Sequence, residues 1–585
     1  MGQIDFSPLW VTLKTGIVAS VFSFFIGIAF AELVINTKGR VRAFWDGLLT
    51  LPMVLPPTVA GYILLRIFST RRPFGSFLSH SMGIQVVHTW LGCVVAATII
   101  ALPLMYRNAR AAFEQIDENV IYAARTLGIS EWKIFWKIRL PMAKPGIISG
   151  VTLAFARAIG EYGATSMLAG NIAGKTSTIS QQIAMVVQSG DYATAGFWCI
   201  VIIAISFACL VSINMICGKS KGIKRKRKNN VAHSKNKKQL DNFMLSVDME
   251  LTDEVVSVIG MSGSGKSMTL KCIAGIETPD SGFISLNGRV LYDSKKRINL
   301  HPGKRRVGYL FQDYALFPTM TVMENICIAM GQRNEEKVKG WLKRYGLEGM
   351  AYTYPNHLSG GQRQRVAMLR MLAAKPECIL LDEPFSALDE HVKRSMESEL
   401  MEMLTDFHNP VVFVSHNRDE VYRLAERIGS MESGVLSTVR DKKDFFMRPM
   451  SVEQALLVGC NNISEVKWQD KHHLLAVEWD SVFEVTDEQL EQTAMSMDGI
   501  SHIGVFPQDI IISAGKTKTA LAYADKNIIR IKDYKMIEEL KSWEVLCKLN
   551  NDSIIYASLP RHTEANMLSK NINDELYIKN FYLLG

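Results

Sequence analysis

The sequence lacks the features of several common protein classes. Its nine cysteines form no C-x-x-C pair, which argues against a zinc site and predicts reduced, mostly buried thiols that face no oxidising compartment. Basic residues are in excess in one stretch alone: ten Lys or Arg and no acidic residue lie between Lys219 and Lys238. Without these ten charges the formal net charge of +9 becomes −1. The absence of a generally basic surface argues against nucleic acid as a partner.

Long apolar segments fill the first third of the chain. At 585 residues the chain is too long for one core and predicts three or four domains of about 150 residues. Each apolar segment is close to the ~20 residues that cross a bilayer. The segments are about Thr15–Ile35, Leu48–Phe68, Val86–Tyr106, Pro145–Met167 and Ala195–Cys217. We predict that residues 1–218 form an all-α transmembrane bundle of about five spans in a lipid bilayer. The alternative, buried helices of a soluble domain, fits five such runs poorly.

Loop charges predict the orientation of these spans. Basic residues cluster at 38–42, at 107–139 and in the basic linker at 219–240, and basic loops stay on the cytoplasmic side. This places the start of the chain outside and the region after the fifth span inside. No basic residue precedes Lys14, so we expect the first segment to be a retained span rather than a cleaved signal peptide. The linker lacks an apolar pattern, and we expect it to be disordered and self-repelling.

Two features of the spans favour a transport pathway over a simple anchor. Pro52, Pro56 and Pro57 lie in or beside the second segment, where proline breaks helical hydrogen bonds. Arg157 and Glu161 lie four residues apart in the fourth segment, so their side chains can meet on one helix face. Charges inside a membrane usually line a bundle interior or a substrate route. A structural pair that neutralises itself is an equally good interpretation, and neither residue is assigned to substrate.

The loop from Arg107 to Lys144 predicts a docking element. Ala123–Thr126 favours a helix, which Gly128 ends. The residues after it offer one apolar face: Trp132, Ile134, Phe135 and Ile138. A short amphipathic helix on the cytoplasmic side is well suited to a groove on another protein.

This loop, from Tyr122-Ala-Ala124 through Gly128 to Leu140-Pro141, resembles the EAA loop of membrane subunits in binding-protein-dependent ABC importers. Tyr122 replaces the glutamate of that pattern. Leu51–Pro57 and Phe155–Thr165, continuing to Ala169-Gly-Asn171, resemble the molybdate permease subunit, with sulfate permeases as close relatives. The likeness extends over nearly all of residues 8–215. It implies oxyanion import, fed by a separate extracytoplasmic oxyanion-binding protein.

A phosphate-binding loop follows the membrane region. Gly260-Met-Ser-Gly-Ser-Gly-Lys-Ser267 reads G-x-x-x-x-G-K-[ST] between the apolar run Val255–Ile259 and the helix-forming run Met268–Ala274. The glycines let successive backbone N–H groups point at a phosphate, and the helix N-terminus adds to the field. Lys266 can reach the β- and γ-phosphates, and the Ser267 hydroxyl can hold Mg²⁺. The predicted ATP-binding residues are Gly260, Ser262, Gly263, Ser264, Gly265, Lys266, Ser267 and Met268. A chance glycine-rich turn is the alternative.

Candidate catalytic groups lie farther along the chain. The buried run Cys378–Leu381 ends in two carboxylates, of which Asp382 suits Mg²⁺ coordination and Glu383 can polarise a water. Gln312 carries an amide that can contact Mg²⁺ or that water. His416 follows the apolar run Val411–Val414 and can contact the γ-phosphate. Taken singly, these residues also fit a loop glutamine, a strand-end acid and a core histidine.

A second predicted anion site lies at Ser359, Gly360, Gly361 and Gln362, before the helical run Arg363–Ala374; Ser386-Ala-Leu-Asp389 follows farther on. Together these pieces resemble the ABC transporter nucleotide-binding domain over residues 241–450. The resemblance implies a composite site, in which the phosphate loop of one copy faces Ser359–Gln362 of a second copy, and hence a homodimer. The position of the aromatic residue that stacks on adenine in the family would fall in the linker. Phe243 is nearer to the phosphate loop than the family spacing predicts, so no residue is assigned to adenine stacking.

Residues 451–585 are rich in short strand patterns, and Phe506-Pro-Gln-Asp-Ile510 resembles the entry to a small β-barrel regulatory domain of importer ATPases. His472 and His473 fit a solvated hairpin tip better than a metal site. The sequence thus predicts a transmembrane bundle fused to an α/β P-loop ATPase and a β-barrel-like domain. We expect an ATP-driven molybdate or tungstate importer of the cell membrane, multi-pass, with its ATPase and C-terminal domains in the cytoplasm. Alternatives are a sulfate importer, a half-exporter or a membrane-tethered ATP-binding regulator.

Overall fold

The computed structural model describes residues 5–218, 245–386, 390–405, 407–493, 497–512, 527–538, 542–560 and 575–585. The predicted linker at 219–240, Phe243 and Asp389 lie outside these residues. Contacts divide the described chain into two compact units. The first contains residues 5–121, 130–218 and 317–319, and the second contains residues 122–129 with the remaining described residues from 245 onward.

The N-terminal region is helical. Its helices are α1 (Ser7–Ile35), α2 (Gly39–Val54), α3 (Pro57–Phe68), α4 (Pro73–Met82), α5 (Trp90–Glu114), α6 (Glu118–Thr126), α7 (Glu131–Ile134), α8 (Leu140–Ile159), α9 (Gly163–Ala169), α10 (Ile179–Gln188) and α11 (Tyr192–Gly218). By length and composition, α1 and α5 can each cross a membrane, and α2 with α3 form a third candidate span that is bent by 112°. A shorter apolar stretch covers Tyr192–Ala208 in α11. The count of five spans stays a prediction.

The predicted proline break is present between α2 and α3. Leu55 has an extended backbone (ψ 141°), as expected for a residue that precedes a proline. Pro56 is the N-cap of α3, and Pro57 is its first residue, a position where the missing N–H costs no helical hydrogen bond. Pro52 lies inside α2 without ending it. The second apolar segment is therefore a broken span or a re-entrant pair.

The prediction of one continuous span over Pro145–Met167 is wrong. Helix α8 ends at Ile159, and α9 begins at Gly163. At the break, the Glu161 carboxylate accepts a hydrogen bond from the Ala164 N–H at 2.8 Å. This side chain takes the place of a preceding-turn carbonyl, which stabilises a new helix start.

Small residues let the long helices pack closely. A Cβ on Gly16 of α1 would lie 2.5 Å from a side-chain carbon of Ile159 in α8. A Cβ on Gly27 of α1 would lie 2.8 Å from the Met105 side chain in α5. Helices α1, α5 and α8 therefore form the centre of the first unit, since only glycine allows this separation.

The predicted docking loop folds as two short helices. Helix α6 ends at Thr126, and Gly128 adopts a left-handed backbone (φ +75°). Helix α7 leads through a π-helical turn at Phe135–Arg139 into α8. Ile134 and Ile138 are fully buried, as predicted, but Trp132 is 70% exposed and packs edge-on against Trp136. The prediction that Trp132 shares the buried face is wrong, because Trp132 and Ile134 are two residues apart in α7 and therefore point about 200° apart around the helix.

The second unit begins with two sheets. Their strands are β1 (Val255–Ile259), β2 (Phe283–Leu286), β3 (Arg289–Asp293), β4 (Ile298–Asn299), β5 (Val307–Leu310), β6 (Cys378–Asp382), β7 (Val411–Ser415), β8 (Arg427–Glu432), β9 (Val435–Leu436) and β10 (Arg440–Asp441). The larger sheet has the order β10-β8-β1-β7-β6-β5, with β9 beside β8. Strands β8, β1, β7, β6 and β5 run parallel, whereas β9 and β10 are antiparallel to β8. The smaller sheet has the antiparallel order β2-β3-β4.

Helices cover the larger sheet. They and the later helices are α12 (Lys266–Ala274), α13 (Pro302–Arg305), α14 (Val322–Met330), α15 (Glu335–Arg344), α16 (Gly360–Ala373), α17 (Glu390–Thr405), α18 (Arg418–Leu424), α19 (Lys442–Met447), α20 (Val452–Val458) and α21 (Asp487–Thr493). All five residues of β6 and all five of β7 are buried. Burial on both faces explains why these strands are continuous apolar runs in the sequence.

The C-terminal region consists of two antiparallel sheets. Their strands are β11 (Asn462–Trp468), β12 (His473–Ala476), β13 (Ser481–Glu484), β14 (His502–Val505), β15 (Ile510–Ile512), β16 (Ile528–Glu538), β17 (Ser542–Leu549), β18 (Ile554–Pro560), β19 (Glu575–Ile578) and β20 (Tyr582–Leu584). The orders are β13-β12-β11-β14-β20 and β15-β19-β16-β17-β18, and both sheets contribute to one apolar core. Within the described residues neither sheet closes on itself, so the β-rich prediction holds in the form of two open sheets. His472 and His473 lie at the β11–β12 hairpin, as predicted.

Candidate nucleotide site

The predicted site residues follow neighbouring strands of the larger sheet. The phosphate loop follows β1, His416 follows β7, Asp382 and Glu383 end or follow β6, and Gln312 lies two residues after β5. These four strands are adjacent and parallel in the order β1-β7-β6-β5. Their carboxyl ends therefore meet at one edge of the sheet, which is the usual place for a ligand in a parallel α/β sheet.

Glycine is required at two positions of the phosphate loop. Gly265, the N-cap of α12, has φ +109°, a backbone conformation that residues with a Cβ rarely adopt. A Cβ on Gly260 would lie 2.5 Å from the Met431 carbonyl oxygen in β8. The loop is thus held close to the backbone of β8, and α12 begins where the loop ends.

Lys266 supplies the buried cation of the loop. Its side-chain nitrogen donates hydrogen bonds to the Gly260 and Met261 carbonyl oxygens, both at 2.8 Å. Burial lowers the pKa of Lys266, while the nearby charges of Glu383 and Asp382 oppose that shift. A desolvated ammonium group whose partners are neutral carbonyls is prepared to exchange them for an anion.

The other predicted loop residues differ in exposure. Ser262 is exposed, whereas Met268 is half-buried in the first turn of α12. Gly263 has φ +85°, and a Cβ there would meet nothing within 4 Å. Ser264 is buried, and its hydroxyl oxygen has no hydrogen-bond partner. An unsatisfied buried hydroxyl is costly, so Ser264 fits a ligand oxygen at this point.

Ser267 and Asp382 are in direct contact. The Ser267 hydroxyl donates to Asp382 Oδ1 at 2.7 Å, and the Tyr309 hydroxyl donates to Asp382 Oδ2 at 2.8 Å. Burial and the Asp382 charge both raise the pKa of Tyr309, so Tyr309 remains a donor at alkaline pH. Sequence reasoning gave Tyr309 no role. The available signal was a tyrosine in an otherwise apolar buried strand, where a hydroxyl needs a polar partner.

Glu383 lies between the two other predicted catalytic side chains. Its Oε1 is 3.2 Å from His416 Nδ1, and its Oε2 accepts a hydrogen bond from Gln312 Nε2 at 3.5 Å. Glu383 has φ +45°, which is unusual for a residue with a side chain. Such backbone strain is typical of functional sites that hold one side chain in a fixed direction.

Ser359 and Gln362 form the capping box of α16. Gln362 N–H donates to Ser359 Oγ at 3.3 Å, and Ser359 N–H donates to Gln362 Oε1 at 2.9 Å. Gly360 and Gly361 occupy the first turn and are half-buried. The second predicted anion site is therefore a capped helix N-terminus, whose described side-chain hydrogen bonds lie within the motif itself.

A buried arginine connects α16 to the segment that carries Gln312. Arg370 donates from Nη1 to the Ala315 carbonyl oxygen at 2.7 Å and from Nη2 to the Tyr314 carbonyl oxygen at 3.0 Å. Tyr314 and Ala315 have positive φ, a turn that these two hydrogen bonds stabilise. Burial lowers the pKa of Arg370 to about 9. Sequence reasoning also missed this residue, since its partners are backbone groups.

The oxygen atoms near Asp382 suit a hard divalent cation. They belong to the Ser267 hydroxyl and the Asp382 carboxylate, with the Gln312 amide beside the next residue, Glu383, and Mg²⁺ prefers such ligands. In the described part of the chain, no group of three or more His, Cys, Asp or Glu side chains is placed to hold a metal ion. The residues therefore fit Mg²⁺ that is bound together with nucleotide phosphates.

Two family models match the chain. The model for "ABC transporter" matches residues 244–386, and the model for "Binding-protein-dependent transport system inner membrane component" matches residues 23–216. The chain is 34% identical over 293 residues to the Molybdate/tungstate import ATP-binding protein WtpC of Pyrococcus abyssi, which covers 49% of this chain and 80% of that protein. The chain belongs to the ABC transporter family. Its ABC-type ATPase follows a permease-type membrane region in the same chain.

The names of further ABC relatives state different transported substrates. The chain is 37% identical over 235 residues to the Sulfate/thiosulfate import ATP-binding protein CysA of Synechococcus elongatus (39% of this chain, 67% of that protein). It is 34% identical over 215 residues to the Molybdenum import ATP-binding protein ModC of Mannheimia succiniciproducens (37% of this chain, 61% of that protein). Among solved structures, the dimeric post-hydrolysis ATP-binding cassette MJ0796 with ADP and Pi matches at 30% identity and a TM-score of 0.30, over 33% of this chain and 88% of that one.

Proposed function

We propose that this chain is a fused permease–ATPase that uses ATP to import an oxyanion. The observation that carries the proposal is the order of the two family matches, a permease match at 23–216 and an ATPase match at 244–386 within one chain. Two copies would assemble as a homodimer in the cell membrane, with several spans per copy and with the ATPase in the cytoplasm. An extracytoplasmic binding protein would deliver the anion.

Molybdate or tungstate is the preferred cargo. The supporting observations are the likeness of Leu51–Pro57 and Phe155–Thr165 to molybdate permeases and the ModC and WtpC relatives. Sulfate is the second candidate, because several relatives are sulfate/thiosulfate importers at 37–38% identity. Uptake of radiolabelled molybdate, with an excess of unlabelled tungstate or sulfate as competitor, separates these candidates. Absence of molybdate uptake, together with uptake of radiolabelled sulfate, would leave sulfate as the cargo.

ATP is proposed to bind at the phosphate loop. Backbone N–H groups of residues 260–267 and the N-terminus of α12 would hold the phosphates, and Lys266 would exchange its carbonyl partners for β- and γ-phosphate oxygens. The Ser264 hydroxyl would find its partner there as well. Ser359–Gln362 of a second copy would close the site, since these residues form a helix N-terminus with the same preference for anions. Ser267, Asp382 and Gln312 would hold Mg²⁺, which neutralises phosphate charge when bound.

Glu383 is proposed as the residue that orients and polarises the attacking water. Its two oxygens are already directed by His416 and Gln312, and its strained backbone fixes the carboxylate. In this arrangement His416 contacts the γ-phosphate and Gln312 contacts the water or the cation. Positioning of this kind supplies much of the catalysis in phosphoryl transfer.

Coupling to the membrane is proposed to run through residues 122–141. Ala123 is buried in a cluster with Leu270 and Tyr309 of the ATPase. A Cβ on Gly303 would lie 2.5 Å from Gly128 Cα. A segment held this closely would follow movements of the ATPase, and α7 and the π-turn join it directly to α8.

The substitution Glu383→Gln tests the mechanism. It keeps the shape of the side chain and removes the carboxylate, so we expect ATP turnover to fall by about a hundredfold or more and import to fall in parallel. Glu377→Gln is a matched control, because Glu377 is similarly exposed (26% against 22%) but pairs with Arg289 outside the site. If import continued after ATP turnover had been lost, ATP hydrolysis would not drive import and the proposed mechanism would be wrong.

A further inference from the structure

Arg157 lies in the last turn of α8, where that helix packs against the apolar helix α1. Its neighbours on α8, Phe155 and Ile159, both come within 3.3 Å of the position of a Cβ on Gly16. Gly16 lies in the interior of α1, about 14 Å along the helix from Ser7, since each residue adds 1.5 Å. Helix α1 is long and apolar enough to cross a membrane. Arg157 therefore lies on the part of α8 that packs beside the interior of a candidate membrane span.

The Arg157 counter-ion is itself buried. Glu161, one turn later at the end of α8, has a side chain that is 1% exposed, and its Oε2 lies 3.0 Å from Arg157 Nη1. This contact lacks the alignment of a hydrogen bond, so Oε2 has no hydrogen-bond partner among the described residues. Glu161 Oε1 is held by the Ala164 N–H. The carboxylate is thus fixed at the α8–α9 break, while its interaction with the arginine is electrostatic and loosely oriented.

The other side of Arg157 is open. Its side chain is 37% exposed, and the exposed residues Leu153 and Gly160 lie on the same face of α8 at helical spacing. A charged side chain at this depth rarely faces lipid, and usually faces a bundle interior or a water-filled cavity. An exposed arginine on this helix therefore fits a polar route better than a contact with lipid.

We propose that Arg157 contacts the oxyanion during its passage, with Glu161 as the resting counter-ion. This inference rests on the proposed import of an oxyanion. A planar guanidinium group can bind two oxygens of a tetrahedral anion through parallel N–H donors. The anion would take over the Arg157 N–H donors, while the Glu161 carboxylate stays in place at the α8–α9 break. Repulsion from the fixed carboxylate would keep this contact weak, as a transport pathway requires.

Neutralising both members of the pair distinguishes this role from a structural one. Arg157→Gln alone leaves a buried carboxylate without its partner, and its effect has two interpretations. Arg157→Gln combined with Glu161→Gln leaves no unpaired charge, so a purely structural pair predicts recovery of import in the double variant. If Arg157 contacts the anion, import stays at least about tenfold below wild type in both variants, since a hydrogen bond to a charged group is lost.

Arg157→Lys separates contact from folding. It keeps the positive charge but loses the planar pair of donors, so we expect the half-saturating oxyanion concentration to rise about tenfold while basal ATP turnover is unchanged. Arg42→Gln is the matched control, because Arg42 is similarly exposed (38%) and also pairs with a glutamate, Glu114. Its uptake is expected to remain within about twofold of wild type, as for an exposed ion pair.

Uptake of radiolabelled molybdate and sulfate is measured in cells that express each full chain together with the binding protein. Wild-type uptake tests the proposed cargo, whereas the ratios between variants test Arg157. Normal import by the double variant, or an unchanged half-saturating concentration in Arg157→Lys, would overturn the inference and leave the proposed importer intact. Absence of uptake of either anion by the wild type would instead contradict the proposed function.

Discussion

Substitution of Tyr309 by phenylalanine tests whether the strand next to β6 positions the Mg²⁺ ligand. The Tyr309 hydroxyl donates to Asp382 Oδ2 at 2.8 Å, while Ser267 occupies Oδ1 of the same carboxylate. Both Tyr309 and Asp382 are at least 94% buried. Tyr309→Phe removes one of these two donors with little change in packing volume. The carboxylate is then free to rotate, and one oxygen loses its buried partner.

The magnitude follows from the charge on the acceptor. A hydrogen bond to a charged group contributes about 1.5–3 kcal/mol to stability. A free energy of 1.4 kcal/mol corresponds to about tenfold in a binding constant. If most of the hydrogen-bond energy orients Asp382, we expect the half-saturating Mg²⁺ concentration for ATP hydrolysis to rise about 10- to 100-fold. This range agrees with the usual effect of removing the hydrogen-bond partner of a metal ligand.

The assay is ATP hydrolysis by the full chain in lipid nanodiscs, measured as a function of free Mg²⁺ at saturating ATP. Tyr292→Phe is the control, because the Tyr292 hydroxyl is also buried and donates to a backbone oxygen, that of Pro279, at 2.6 Å. It should lose some stability but keep the wild-type Mg²⁺ dependence. If Tyr309→Phe and Tyr292→Phe shift the Mg²⁺ midpoint equally, the reasoning about Asp382 is refuted.

Two further predictions concern coupling and alkaline stability. Gly303→Ala places a methyl group against Gly128 Cα at 2.5 Å, so we expect import to fall severalfold more than basal ATP turnover. Gly340→Ala is the control, because its Cβ meets nothing within 4 Å, and it should leave import and ATP turnover unchanged. An equal loss of import in the two variants would contradict this reasoning. Burial raises the thiol pKa of Cys272 to about 11 and of Cys378 to about 12. The stability that the two protonated thiols contribute is therefore full below pH 9 and is lost as the pH rises toward 12. The expected results are a melting temperature that falls over this pH range and slow alkylation of both thiols in the native protein. Fast alkylation of the native protein at pH 8 would refute the prediction.

The candidate residues of the nucleotide site could be named from the sequence because each part of the site is local. A glycine-rich turn between a strand and a helix specifies the phosphate loop within eight residues, and the strand-end carboxylates Asp382 and Glu383 follow an apolar run that can only be buried. Parallel strands then bring Gln312 and His416 to the same edge, since adjacent carboxyl ends coincide. Each of these steps needs the chain order and no information about side-chain packing.

The features that the sequence did not predict depend on contacts between distant residues. The end of α8 at Ile159 depends on the hydrogen bond between Glu161 and Ala164, in a segment whose composition is apolar on both sides. The exposure of Trp132 depends on which face of α7 is covered, and a count of apolar residues does not indicate that. Arg370 acts on backbone carbonyls 55 residues earlier in the chain. Tertiary partners of this kind decide the structure where local propensity is neutral.

The phosphate-loop helix is anchored at both ends, and this links the nucleotide to the segment at 122–129. At the N-terminal end of α12, the loop holds Lys266. At the other end, the fully buried Arg305 donates from Nη1 to the carbonyl oxygens of Cys272 and Ile273 at 2.9 and 2.8 Å. Arg305 lies in the same short helix, α13, as Gly303, which packs against Gly128. A displacement of α12 would therefore be transmitted through Arg305 to α13, which also carries the surface on which residues 122–129 rest.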